Sequence, residues 1–153
     1  MRVVILGCGR VGAQLANTLD LEGHQVSIVD LSNESLRRRL SEDFRGLVVL
    51  GNGIDEDVLR RAGIEQADAF AAVTDDDNTN IMSSQLAQHV FNVPKVVCRV
   101  YDEARSSTYE TLGLHTVAPV QIAANRVREL LAQHRDTISR RPADAGSGRP
   151  AEE

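Results

Sequence analysis

The strongest constraint in this 153-residue chain is a glycine loop set between an apolar run and an amphipathic segment. Val3-Val4-Ile5-Leu6 reads as a short buried strand. Gly7-Cys8-Gly9-Arg10-Val11-Gly12 follows it as G-x-G-x-x-G. Val11, Leu15 and Leu19 then recur at helical spacing until Gly23. Strand, glycine loop and helix in this order open a βαβ unit that holds an anion. Gly7 makes the tight turn, Gly9 lets a pyrophosphate approach the backbone, and Gly12 lets helix and strand pack closely. The phosphates would sit on the helix N-terminus, where free N–H groups and the macrodipole favour negative charge.

The remaining chain continues the alternation. Residues 26–29 read as a second strand ending at Asp30, and Ser32 suits an N-cap for a helix carrying Leu36, Leu40 and Phe44 at i, i+4 and i+8. Residues 47–50 form a third strand broken by Gly51-Asn52-Gly53, and a short helix over 55–62 stops at Gly63. The second half predicts strands at 69–73, 96–100 and 115–118. Helices run from the Thr74–Asp77 cap to about Phe91, over 103–112, and from Pro119 along an apolar face of Ala123, Val127, Leu130 and Leu131. Six strands in two β-α-β-α-β halves, joined by right-handed crossovers, predict an α/β fold: a Rossmann-like, doubly wound, parallel six-stranded sheet. From Asp136 onward the pattern dissolves into Arg140-Arg141-Pro142, Gly146-Ser147-Gly148 and Pro150. Residues 1–135 are therefore expected to form one nucleotide-binding domain, and 136–153 a disordered tail or linker.

Composition removes several function classes. The net charge of −5 opposes generic binding to nucleic acid. No run approaches the roughly 18–20 apolar residues that span a bilayer, and Met1-Arg2 leads into the strand without a secretory pattern. Cys8 and Cys98 are the only cysteines, which excludes a stapled secreted scaffold and makes a reducing cytoplasm the expectation. Lys95 is the only lysine and follows Pro94, so no phosphate-binding loop of the G-x-x-x-x-G-K type exists. Tyr-x-x-x-Lys reductase chemistry is excluded too, since Arg105 and Gly113 stand four residues after Tyr101 and Tyr109. The four histidines show no metal spacing with each other or with the cysteines.

Candidate ligand contacts cluster at the strand ends. Asp30 lies 21 residues after Gly9, where a carboxylate accepts both ribose hydroxyls and repels a 2′-phosphate. Leu31 and Ser32 offer no compensating arginine, so the site reads as adenosine-binding and not NADP-binding. Arg10 either reaches a phosphate, in its own or a neighbouring subunit, or is a solvated arginine at a helix start. Cys8 is expected to be a small filler. Asn52 either matches the N6 donor and N1 acceptor of adenine or closes a plain turn. Thr74 and Asp75-Asp76-Asp77 read as a helix cap with solvated acids, with a cation site as the alternative. Arg99 on strand five is a crevice-facing charge that wants an anion, either phosphate or Asp102.

These residues carry a resemblance. Gly7-x-Gly9-Arg10-x-Gly12, Asp30, Gly51-Asn52-Gly53-x-Asp55-x-x-x-Leu59, Ala67-Asp68-Ala69-Phe70-x-Ala72-Val73-Thr74-Asp75-Asp76-Asp77-x-x-Asn80 and Arg99-Val100-x-Asp102 resemble the N-terminal RCK domain, also called KTN or TrkA-N. The resemblance covers about residues 1–135. It implies a cytoplasmic regulatory subunit, peripheral to the inner face of the cell membrane, that binds NAD(H), ATP or ADP without reacting it. It further implies an integral-membrane potassium transporter or channel as partner, and a homodimer commonly assembled into a ring, with the final helix crossing to another subunit. Carried over by position, the ligand contacts are Gly7, Gly9, Arg10, Val11, Gly12, Asp30, Asn52, Thr74 and Arg99, with Arg10 at the terminal phosphate of a triphosphate. Asn52 departs from the aspartate usual in the family, and the smaller C-terminal domain that commonly follows is not among these residues. The alternative is a small NAD-dependent oxidoreductase. The six strands take up the patterned chain without a substrate domain, and no acid–base pair stands out, so the sensor is preferred.

Overall fold

The computed structural model describes residues 1–138. The chain divides into two compact units, the first ending at Pro119 and the second beginning at Val120. The first unit is the expected α/β fold. Strands β1 (Arg2–Leu6), β2 (Gln25–Asp30), β3 (Leu47–Leu50), β4 (Ala69–Ala72), β5 (Lys95–Arg99) and β6 (His115–Val117) alternate with helices α1 (Arg10–Leu21), α2 (Asn33–Arg39), α3 (Glu56–Arg61), α4 (Asp77–Gln85) and α5 (Glu103–Thr111). The strands form one parallel sheet in the order β3-β2-β1-β4-β5-β6. The order reverses between β1 and β4, where Leu6 registers with Ala72.

The alternating faces of β1 explain the two larger of three apolar clusters. Val4 and Leu6 pack with Val49 on β3, Val58 and Leu59 on α3, Ile64, and Phe70 on β4. Val3 and Ile5 point the other way, against Ala13 and Ala16 of α1, Val26 and Ile28 of β2, and Leu36 of α2. Burial of each large apolar side chain contributes roughly 1.5–3 kcal/mol, so a central strand buried on both faces anchors the sheet.

Element ends mostly follow local chemistry. Ser32 caps α2 by accepting from Ser35 N at 3.2 Å, Asp55 caps α3, and Asp102 caps α5. The second helix differs from expectation. It stops at Arg39 instead of reaching Phe44, because Asn17 on α1 takes over its C-terminal backbone. The Asn17 amide donates to the Arg39 carbonyl at 3.2 Å and accepts from Ser41 N at 3.0 Å. Leu40 and Phe44 still pack on the core, from an extended residue and the Ser41–Phe44 turn rather than from a helix. Beyond Gln85 the expected helix toward Phe91 continues as a wider π-type turn over Leu86–Val90.

The second unit carries helix α6 (Pro119–Ile138), three residues longer than expected. The remainder of the expected tail lies outside the described residues. Along α6, Val120, Val127 and Leu131 are 62%, 56% and 69% exposed, an apolar stripe at helical spacing. No described helix is long and apolar enough to cross a membrane.

Candidate functional site

At the carboxyl ends of β1, β2, β4 and β5 the chain encloses a crevice of about 600 Å³. It occupies the point where strand order reverses, the place where open α/β sheets hold ligands. Gly7, Gly9, Arg10, Val11, Asp30, Asn52, Thr74 and Arg99 all line it. Gly12 does not line it; it sits buried behind the loop. A separate groove of about 490 Å³, bordered by Arg2, Asp20, His24 and Arg45, has no glycine loop.

The loop is built by contact limits. Gly7 has φ +101°, and a Cβ there would lie 2.8 Å from the Thr74 nitrogen. Its own N–H donates to Val29 O at 2.8 Å, tying the turn to β2. A Cβ on Gly12 would lie 1.8 Å from the Gly7 carbonyl oxygen, so α1 starts this close to β1 only with glycine there. Around Gly9 no atom lies within 4 Å of such a Cβ; the space above its backbone is open.

Asp30 closes the loop from β2. Its two carboxylate oxygens accept from Cys8 N at 2.6 Å and Ser32 N at 2.7 Å. Each oxygen keeps a lone pair for a ribose hydroxyl. Cys8 is the buried filler expected, with its thiol donating to Ser35 O at 3.6 Å. Burial, reinforced by the Asp30 charge and opposed by Arg39, pushes this thiol up to about 11, so it stays protonated and inert at neutral pH.

Asn52 is exposed and commits its amide oxygen to Ile54 N at 3.2 Å, an Asx turn. Its NH2 group remains as the donor available to a base. Thr74 differs from a simple ligand contact, because its hydroxyl donates to Asn80 Oδ1 at 2.7 Å. Fully buried Asn80 also accepts from Thr74 N at 2.9 Å and donates to the carbonyls of Thr74 and Arg99, both at 3.0 Å. One side chain therefore joins the ends of β4 and β5. Replacing it by alanine strands these groups, and we expect Asn80→Ala to lower unfolding free energy by about 2–4 kcal/mol in urea melts.

Arg99 is only 7% exposed and reaches the crevice. Asp102 is not its partner: that carboxylate accepts from Ala104 N and Arg105 N as the α5 cap. Arg99 Nη2 instead donates to the Tyr101 hydroxyl, and the guanidinium carbon sits 4.4 Å from the Tyr101 ring centroid. Among the described residues its Nε has no hydrogen-bond partner. A buried guanidinium without an acid beside it is suited to an anionic ligand. The acidic run is a cap, as read. Asp76 accepts from Thr79 N at 2.6 Å, and the Thr79 hydrogen bonds hold its carboxyl below the usual range. Asp77 accepts from Tyr101 N and Asp102 N. Among the described residues no His, Cys, Asp or Glu group of three could hold a metal ion.

Arg39 is a charged lining residue that the sequence reading missed. Arg39, at the end of α2, lies along the crevice with Asp30, Leu31 and Ser35. Leu31 and Ser32 carry no guanidinium, but the fold brings Arg39 to the crevice that Asp30 lines. The signal was the Arg37-Arg38-Arg39 run, whose last member the helix end carries to the site.

The chain is similar to known proteins. The Trk system potassium uptake protein TrkA of Streptomyces coelicolor is 45% identical over 143 residues, covering 93% of this chain and 64% of that protein. The chain thus spans somewhat less than two thirds of that relative. The solved GsuK channel bound to NAD superposes with a TM-score of 0.74 at 26% identity, over 89% of this chain and 24% of the channel chain. GsuK bound to ADP superposes with a TM-score of 0.73 at 26% identity, over 87% and 34%. Residues 3–119 match the TrkA-N domain, and the chain belongs to that family.

Proposed function

We propose that the crevice binds an adenine nucleotide, NAD(H) or ATP/ADP, as a regulatory ligand, and that the chain is a nucleotide-sensing component of a potassium transporter or channel. The observation that carries this reading is the gathering of Arg10, Arg39 and Arg99 around an open glycine loop, in a chain whose net charge is −5. Cations collected against the overall charge favour a polyanion. Asp30 would take the adenosine ribose, the Gly9 backbone and the start of α1 the phosphates, and Arg99 an anionic group over β5. The named relatives are potassium uptake and channel proteins, two of them structures with NAD or ADP bound, which supports a binding role without chemistry on the ligand.

Sensing requires that ligands differ in their affinity for two arrangements, since equal affinity shifts no equilibrium. The exposed Val120, Val127, Leu130 and Leu131 of α6 supply an apolar face for a second copy, and the integral-membrane partner would read the resulting homodimer or ring at the inner face of the cell membrane. Small-angle scattering with saturating ATP, ADP or NADH tests this: at least two ligands give different profiles, and identical profiles for all bound ligands contradict sensing.

Arg10 is assigned to a terminal phosphate. Arg10→Ala is expected to weaken ATP by about tenfold or more and NADH by less than about threefold in calorimetric titrations, the scale of one charge-assisted hydrogen bond. Equal losses for both ligands refute that role.

A further inference from the structure

Arg39 is exposed and lines the same crevice as Asp30 and Ser35, at the end where the reading above places the adenosine ribose. Its position is fixed by the backbone. Asn17 grips the Arg39 carbonyl and the Ser41 N–H, so α2 ends at this residue. Its neighbour Arg38 is already neutralised by Glu34 at 2.9 Å. Arg39 itself has no carboxylate within ion-pair distance among the described residues. Its charge is near enough to the loop to pull the Cys8 thiol down slightly, against burial and the Asp30 charge that push it up.

Asp30 is meanwhile not a bare acid. Both of its oxygens accept backbone N–H groups, from Cys8 and Ser32. The ribose end therefore presents a hydrogen-bonded carboxylate together with an unpaired guanidinium. A carboxylate alone repels a ribose 2′-phosphate, whereas a guanidinium fork beside it offers two parallel N–H donors to that phosphate.

We infer that Arg39 is a specificity-determining residue of this crevice: it admits an adenosine whose ribose carries a 2′-phosphate, so that phosphorylated and unphosphorylated dinucleotides both bind. This inference rests on the nucleotide-site reading above.

The test is calorimetric titration of the full chain with NADH, with NADPH and with ATP, for the unaltered protein, Arg39→Ala and Arg38→Ala, with melting temperatures recorded for each. The unaltered protein is expected to bind NADPH within about tenfold of NADH. Arg39→Ala is expected to weaken NADPH by about 10–100-fold, the loss of a charge-assisted contact, and NADH by less than about threefold, at an unchanged melting temperature. Arg38→Ala should leave both affinities alone. The NADPH affinity should also fall more steeply with salt, since an exposed charge pair is screened. Tight NADH with undetectable NADPH in the unaltered protein overturns the inference, because Asp30 then dominates. Equal losses for the two ligands in Arg39→Ala overturn it as well. If neither dinucleotide nor ATP binds, the nucleotide-site reading itself fails and the inference falls with it.

Discussion

Gly9→Ala is expected to leave the protein folded and to remove nucleotide binding. Gly9 adopts an extended conformation, φ −72° and ψ −169°, that alanine shares, and an added Cβ meets no atom within 4 Å. The cost to the fold is that of a poorer helix N-cap, at most about 1 kcal/mol, a shift of a few degrees in melting temperature. The methyl group would, however, occupy the open space above the backbone where a pyrophosphate has to approach. Loss of one or two backbone hydrogen bonds to the phosphates is expected to weaken NADH and ADP by about 100-fold or more, roughly 2.7 kcal/mol. Thermal melts and titrations of the same preparation check both halves. Binding equal to that of the unaltered protein would place the ligand elsewhere than over this loop.

Gly12→Ala is expected to have the opposite signature. A Cβ at this position would lie 1.8 Å from the Gly7 carbonyl oxygen and 3.1 Å from Val73 Cγ2. The nearest of these contacts is backbone, so a rotamer change cannot relieve it, and α1 has to move off β1. That separation opens the core formed by Val3, Ile5, Ala13 and Ala16. The expected loss exceeds about 4 kcal/mol, a large part of the 5–15 kcal/mol that stabilises typical domains. Circular dichroism melts measure it directly. A soluble Gly12→Ala protein melting within about 5 °C of the original would show that α1 can shift without cost, against the packing described here.

What was legible in the sequence was chemistry fixed by short spacings. The glycine triplet, the apolar run before it and Asp30 at the end of the second strand each lie within one βαβ unit, so spacing alone placed them together. The caps at Ser32 and Asp76 were local as well, formed with N–H groups three residues on. The doubly wound topology followed from crossover handedness. The errors arose where a distant partner decided the outcome. Leu36, Leu40 and Phe44 keep helical spacing, yet Asn17 on another helix ends α2 at Arg39. The same event carries Arg39 to the crevice, nine residues beyond Asp30, where no short motif points. Asp102 looked like a counter-ion for Arg99 because it is near in sequence, but helix capping claimed its carboxylate and Tyr101 took the guanidinium. Thr74 was visible as a strand end, whereas its hydroxyl's commitment to Asn80 needed the loop geometry.

The central claim, that this crevice is a nucleotide site, is tested most directly by calorimetric titration of the purified chain with ATP, ADP and NADH. The account predicts saturable micromolar binding of at least one of these ligands, one per chain, with mutual competition between those that bind. An absence of heat and of competition for all three at millimolar concentration, from a protein that melts cooperatively, would contradict it.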